Sequence, residues 1–150
     1  MQDSRAIAQA FVEKAKEEGI EPFTPLKLIK LVYLAHAYSL YRFEKPLINN
    51  KVEAWPYGPI IPELYYSISS YGRNPVNTVV GFLSPDLTKE GREAIEYVFD
   101  SCKNWTAAQL TNHTHIKGSP WDEAIKIAGE GCLIPDSHIF EYCKKAEKVF

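Results

Sequence analysis

Apolar residues along this chain recur mostly at helical spacing. Between Asp3 and about Glu18, Ile7, Ala8, Phe11, Val12 and Ala15 follow one another at intervals of one and three, which draws a single stripe on a helix. Gly19 is placed to end it, because glycine tolerates the left-handed conformation that follows a helix. Thr24 then offers an N-cap oxygen, and Pro25 suits the first helical position, where its missing N–H is no loss. The helix starting there, about Pro25 to Arg42, carries Leu26, Leu28, Ile29, Leu31, Val32, Tyr33, Leu34, Ala35, Ala37, Tyr38 and Leu40. That is too many apolar residues for one stripe, so the helix is expected to be central and largely buried. Lys27 and Lys30 share a face at its N-terminal end. Cations there oppose the macrodipole by ~0.3 to 1 kcal/mol, so their position asks for a reason beyond helix stability.

Further along, Leu47-Ile48 and Val52-Glu53-Ala54-Trp55 flank the turn-forming Asn49-Asn50-Lys51, a pattern that predicts two brief strands in a hairpin. Gly58-Pro59 reads as a helix entry, followed by Ile60, Ile61, Leu64, Tyr65 and Ile68 up to Tyr71-Gly72. Residues Arg73 to Asp86, with Asn74-Pro75, Gly81 and Ser84-Pro85, read as a connection containing one short extended piece. Thr88 opens a helix to about Lys103 with Ala94, Ile95, Val98, Phe99 and Cys102 inward. Thr106-Ala107-Ala108-Gln109 has the spacing of a capping box, and Ser119-Pro120-Trp121-Asp122 combines a serine cap, a first-position proline and an acid in the first turn. A last helix, about Pro135 to Phe150, turns Ile139, Phe140, Cys143, Ala146 and Val149 inward and ends in Lys144, Lys145 and Lys148, which suit the negative end of its dipole. The expected fold is therefore mainly α: a compact single-domain bundle of about six or seven helices with a small β-hairpin near residues 47–55.

Composition adds limits. A chain of 150 residues with 45 % apolar and 24 % charged residues is an ordinary globular length and balance, enough for one core. The run Leu31 to Ala35 falls far short of the ~20 apolar residues of a membrane span, and Met1 to Arg5 lack the basic start of a secretory signal, so a cytoplasmic location and no membrane partner are expected. Cys102, Cys132 and Cys143, odd in number and widely spaced, point to reduced thiols. A net charge of -2 gives no global pull toward nucleic acid.

Chemistry-bearing patterns are few. His113-Thr114-His115, Cys132 and His138 have none of the spacings that make a zinc site specific. No nucleophile elbow, phosphate loop or dinucleotide fingerprint is present. Lys27 and Lys30 read either as a solvated helix end or as contacts to an acidic partner. Trp55, Tyr57 and Trp121 read either as interface residues or as core anchors.

Two stretches carry a resemblance. Thr24-Pro25-Leu26-Lys27-Leu28-Ile29-Lys30-Leu31-Val32-Tyr33, then Pro46-Leu47 and Val52-Glu53-Ala54-Trp55-Pro56-Tyr57-Gly58-Pro59-Ile60-Ile61-Pro62-Glu63-Leu64-Tyr65, resemble the Panacea-domain, or SocA-like, antitoxin family. Tyr71-Gly72 and Thr114-His115-Ile116-Lys117-Gly118-Ser119-Pro120-Trp121 continue the likeness, with His113 and Pro56 departing from the usual pattern. It covers about residues 24–142 of a single domain over 1–150, with an N-terminal helix in 1–23. The resemblance implies an antitoxin, often carried by prophages, that neutralises a cognate protein toxin by direct binding and has neither catalytic residues nor cofactors. It leaves open an adaptor that delivers the toxin to a ClpXP-type protease. From the residues alone, a helix-turn-helix regulator using Pro25 to Tyr41 and an enzyme using His115 also stay open. Tyr33, Glu53, Trp55, Tyr57, Gly58, Pro59, His115, Pro120 and Trp121 carry the family signature and are expected to hold the scaffold. Lys27 and Lys30 are the candidate partner contacts.

Overall fold

The computed structural model describes residues 1–79, 81–82 and 86–150. In chain order its elements are α1 (Ser4–Glu17), α2 (Pro25–Phe43), β1 (Glu53–Trp55), β2 (Gly58–Ile60), α3 (Pro62–Ile68), a 3₁₀ turn (Ser69–Tyr71), α4 (Lys89–Cys102), α5 (Ala107–Thr114), α6 (Pro120–Ala128) and α7 (Asp136–Ala146). Helix α2 is the axis. Every residue from 28 to 40 is buried, and α1, α3, α4, α5, α7 and β2 all pack against it. One continuous core results, drawn from Ile7, Phe11 and Val12 of α1, Leu28, Leu31 and Val32 of α2, Leu64, Val98, Phe99, Leu110 and Ile139. No helix among the described residues is long and apolar enough to cross a membrane.

Local chemistry explains most boundaries. Asp3 accepts a hydrogen bond from the Arg5 N–H at 2.9 Å and caps α1. At the other end Gly19, with φ +68°, lets Ile20 N–H reach the Ala15 carbonyl at 3.0 Å while its own N–H reaches Lys16 at 3.2 Å, a Schellman ending. Thr106 and Gln109 form the expected capping box, and Ser119 caps α6 with Pro120 at its first turn. Thr24 departs from expectation: its backbone is extended as a cap requires, but its side chain makes no cap hydrogen bond. Helix α7 stops at Ala146, earlier than periodicity suggests, where Glu147 adopts a left-handed φ of 58°.

The hairpin is present but lies further along the chain than 47–55. β1 and β2 are antiparallel with Glu53 opposite Ile60, Ala54 opposite Pro59 and Trp55 opposite Gly58, so Pro56-Tyr57 forms the turn. Asn49-Asn50-Lys51 is used otherwise: the Asn50 carboxamide oxygen accepts the Ser4 N–H at 2.6 Å, holding the start of α1, and Ile48 bridges to Gln2. Gly58-Pro59, expected to open a helix, is strand instead, and Pro62 opens α3. Proline fits in β2 because Ala54 turns its own N–H and C=O away from it, to Cys132 O at 2.9 Å and Gly131 N at 2.7 Å. The Ala54–Pro59 pair therefore asks for no N–H from Pro59. Of the expected connection 73–86, Ser84-Pro85 lie outside the described residues. Its described part forms no strand and is anchored by Val76 N–H on Phe23 O and Val79 N–H on Gln9 Oε1, each at 2.8 Å.

The caps give a direct test. Thr106→Ala removes half of a formed capping box and should lower unfolding free energy by about 0.5–2 kcal/mol. Thr24→Ala removes no cap bond and should change it by less than about 0.5 kcal/mol. Urea unfolding of the two variants measures both, and equal losses would contradict the assignment of caps.

Candidate functional site

Residues far apart in sequence converge on the hairpin. From one side, Lys30 of α2 projects its ammonium to the Pro59 carbonyl at 2.9 Å. That carbonyl is free for Lys30 because the Ala54–Pro59 pair is a non-hydrogen-bonded one, which turns the main-chain groups of Pro59 away from β1. Gly58 sits at the crossing with φ +106°, and a Cβ there would lie 3.0 Å from Lys30 Nζ and 3.5 Å from Thr114 Oγ1. Only glycine meets both the backbone angle and the space.

From the opposite side, α6 and the residues before it hold the turn. Trp121 donates its indole N–H to the Trp55 carbonyl at 2.6 Å. His115 stacks on the Trp121 ring, with centroids 3.7 Å apart, and approaches the Pro56 carbonyl at 3.1 Å through Nε2, which must carry the proton because a carbonyl only accepts. Trp55 in turn donates its indole N–H to Glu53 at 3.0 Å and packs edge-on against Tyr65. Tyr57, at the tip, is left 69 % exposed. Tyr33 is buried on α2 and lines, with His113, Thr114, Ser119 and Pro120, a cavity of about 20 Å³, room for about one water. The signature residues thus meet at one place, and most of their polar groups are spent on holding it.

Lys30 dominates the electrostatics. It is wholly buried and, among the described residues, no carboxylate pairs with it. Burial alone pushes its ammonium down to about 7, because a low-dielectric surrounding disfavours the charged form. This separates the two lysines expected to form one surface. Lys30 offers nothing to a partner. Lys27 stays half-exposed and donates to the Lys103 carbonyl at 3.1 Å, at the C-terminus of α4. There its charge is favourable, which answers why a cation sits at the start of α2.

Two further histidines, His113 and His36, are internal ties. His113 bonds the Val149 carbonyl at 3.1 Å through a protonated Nε2. His36, which stands in the apolar run of α2, accepts the Leu47 and Ile48 N–H groups on Nδ1 at 3.2 and 3.3 Å and bonds Asp136 through Nε2 at 2.8 Å. A buried histidine inside an apolar helix was the available signal; its partners, up to 100 residues away, were not readable. No group of three metal-ligating side chains occurs among the described residues, and the three cysteines are unpaired. The burial of α2 from 28 to 40 leaves no face to enter a DNA groove, so Pro25 to Tyr41 is not built as the recognition helix of a helix-turn-helix.

Comparison with known proteins identifies a family. The model of the family described as "Antitoxin SocA-like, Panacea domain" matches residues 28–122. The curated "Antitoxin SocA" of Caulobacter vibrioides (strain NA1000 / CB15N) is 33 % identical over 130 residues, covering 80 % of this chain and 69 % of that protein. No solved structure matches.

Two outcomes follow from the buried lysine. Gly58→Ala should cost about 1–3 kcal/mol through its left-handed backbone, with a further coupling of about 0.5–3 kcal/mol that disappears when Lys30→Ala opens the space. A double-mutant cycle by urea unfolding reads this, and additive losses would show that Gly58 and Lys30 do not meet. Lys30 also sets a pH dependence. The unfolded chain keeps this proton until about 10.5 while the folded one releases it from about 7, so the unfolded state binds more protons between and stability rises with pH. Cys102 and Cys143, pushed up by burial to about 12 and about 11, oppose this only above their ordinary value of 9.0. Melting temperatures from pH 7 to about 9 should therefore climb more steeply in the wild type than in Lys30→Met; parallel curves would refute the assignment.

Proposed function

This chain belongs to the family of SocA-like antitoxins that carry the Panacea domain, and we propose on that footing that it neutralises a cognate protein toxin by binding it directly. The match over residues 28–122 carries the reading, and the geometry supports it. A neutraliser needs a surface that is already rigid, because ordering it on binding would subtract from affinity. Here the hairpin is held from α2 by Lys30 and from α6 by Trp121, so its exposed tip has little freedom to lose. His115, the residue around which an enzyme would be built, has Nε2 committed to the Pro56 carbonyl. In this reading Trp55, Gly58, Pro59 and Trp121 shape the scaffold, and partner choice lies on exposed positions around it.

The test is rescue. Expression of the protein encoded by the adjacent gene should arrest growth, and co-expression of this chain should restore it. Under direct neutralisation the toxin's half-life in a pulse-chase stays unchanged during rescue. Rescue that vanishes in cells lacking ClpXP, with a shortened half-life when the protease is present, would instead establish an adaptor; no rescue at all would overturn the antitoxin role.

A further inference from the structure

A groove of about 500 Å³ runs between the α1–α2 connection and the α4–α5 corner. Ile20 to Thr24 and Lys27 form one wall, Lys103 to Ala107 the other, with Arg73 and Pro75 closing one end. Its polar lining is rich in donors. Arg73 is exposed and, among the described residues, pairs with no carboxylate. Lys27 Nζ sits 5.1 Å above the Phe23 ring and gives one of its three protons to Lys103 O. Lys103 shares its ammonium with Glu18 at 3.4 Å, on the rim. Glu21 is the one acid lining the groove.

Trp105 adds the feature that gives the groove a use. The indole N–H groups of Trp55 and Trp121 are both bonded to protein oxygens. That of Trp105 donates to no protein atom among the described residues. Its ring is braced edge-on by His113 at 5.7 Å and Phe150 at 5.9 Å, so it stands half-exposed yet fixed. A rigid aromatic beside unpaired donors is the composition of a binding hot spot. Of the three cations, Lys103 is already paired with Glu18, which leaves Lys27, Arg73 and a free N–H against Glu21, and these call for an occupant that brings acceptors and negative charge. A channel of this size takes a few side chains rather than a duplex, and three cations on a chain of net charge -2 make a poor nucleic-acid surface.

We propose that this groove, lined by Lys27, Arg73, Lys103 and Trp105, receives an acidic segment of the cognate toxin, with a carboxylate on Arg73 and an apolar or acceptor group against Trp105. The proposal rests on the neutralisation reading above. It places partner recognition in a surface that the hairpin signature does not build, with Lys27 as the one lysine of the original pair able to take part.

The experiment measures binding of the adjacent gene's purified product to wild type, Arg73→Glu, Lys103→Gln and Lys144→Glu. The last changes an exposed cation on α7 by the same two charge units as Arg73→Glu. Calorimetry at about 0.05 M and about 0.5 M salt is the readout, with melting curves confirming that each variant is folded. Arg73→Glu should weaken binding at least tenfold at low salt and Lys103→Gln severalfold, both deficits should shrink at high salt, and Lys144→Glu should bind as wild type. Wild-type affinity in Arg73→Glu overturns the groove while leaving the antitoxin role standing. An equal loss in Lys144→Glu shows a diffuse charge effect and also overturns it. Failure of the wild type itself to bind would instead remove the neutralisation reading. A 20-base-pair duplex that binds wild type and not Arg73→Glu would reassign the groove to nucleic acid.

Discussion

Helix α2 has no solvent face between residues 28 and 40, so its polar side chains there depend on partners inside the protein, and all but Tyr33 have one among the described residues. Lys30 is answered by the Pro59 carbonyl, His36 by two main-chain N–H groups and Asp136, Tyr38 by Glu93 at 2.7 Å, and Ser39 by the Lys45 carbonyl at 2.6 Å. Each answer comes from a different element: β2, the segment before β1 together with α7, α4, and the end of the α2 loop. Apolar packing around a helix greasy on all sides tolerates rotation and sliding; directional bonds from four residues at fixed heights do not. The position of the surrounding elements is set by where their acceptors and donors must be.

The hairpin follows from one of these bonds. A buried amine with a single carbonyl partner is a poor stabiliser, because desolvation costs more than one neutral hydrogen bond returns. Its contribution is geometric. To meet Lys30, Pro59 must face α2, which fixes the register of β2 against β1; Gly58 must then lack a side chain, and Trp55 must present its carbonyl to Trp121 on the far side. The residues that identify the family are consequences of holding three backbone carbonyls, those of Trp55, Pro56 and Pro59, against Trp121, His115 and Lys30. This is why they cluster in space while lying on four separate segments of the chain.

Helices were legible in the sequence to within a few residues because their signals are local: Gly19, the Thr106–Gln109 pair and Ser119-Pro120 act within one turn of where they stand. The hairpin was legible in kind and shifted in place. Asn49-Asn50 has the chemistry of a turn, but the same carboxamide can cap a helix 46 residues away, and only tertiary structure decides between the two uses. Lys30 was misread for a related reason. Periodicity puts it beside Lys27 on one helical face, and nothing local tells a lysine that its neighbour's carbonyl lies 29 residues on. The groove at Trp105 left no trace at all, since its walls come from four segments with no shared pattern.

A division of labour follows from where hydrogen-bonding capacity is used up. On the hairpin side, Lys30 Nζ, the Trp55 and Trp121 indole N–H groups and His115 Nε2 are each bonded within the chain, and a group already bonded can serve a partner only by breaking what it has. Affinity for something outside must come from donors left open and rings left braced. Tyr57 and Tyr66 supply exposed aromatic area beside the hairpin but little charge. Arg73 and the Trp105 indole supply both direction and charge on another face. A family can keep its fold while changing its partners only if the two sets of residues are separate. In this chain the two lysines of α2 already differ in this respect: Lys30 is consumed by the fold, and Lys27, three positions earlier, still has protons to give.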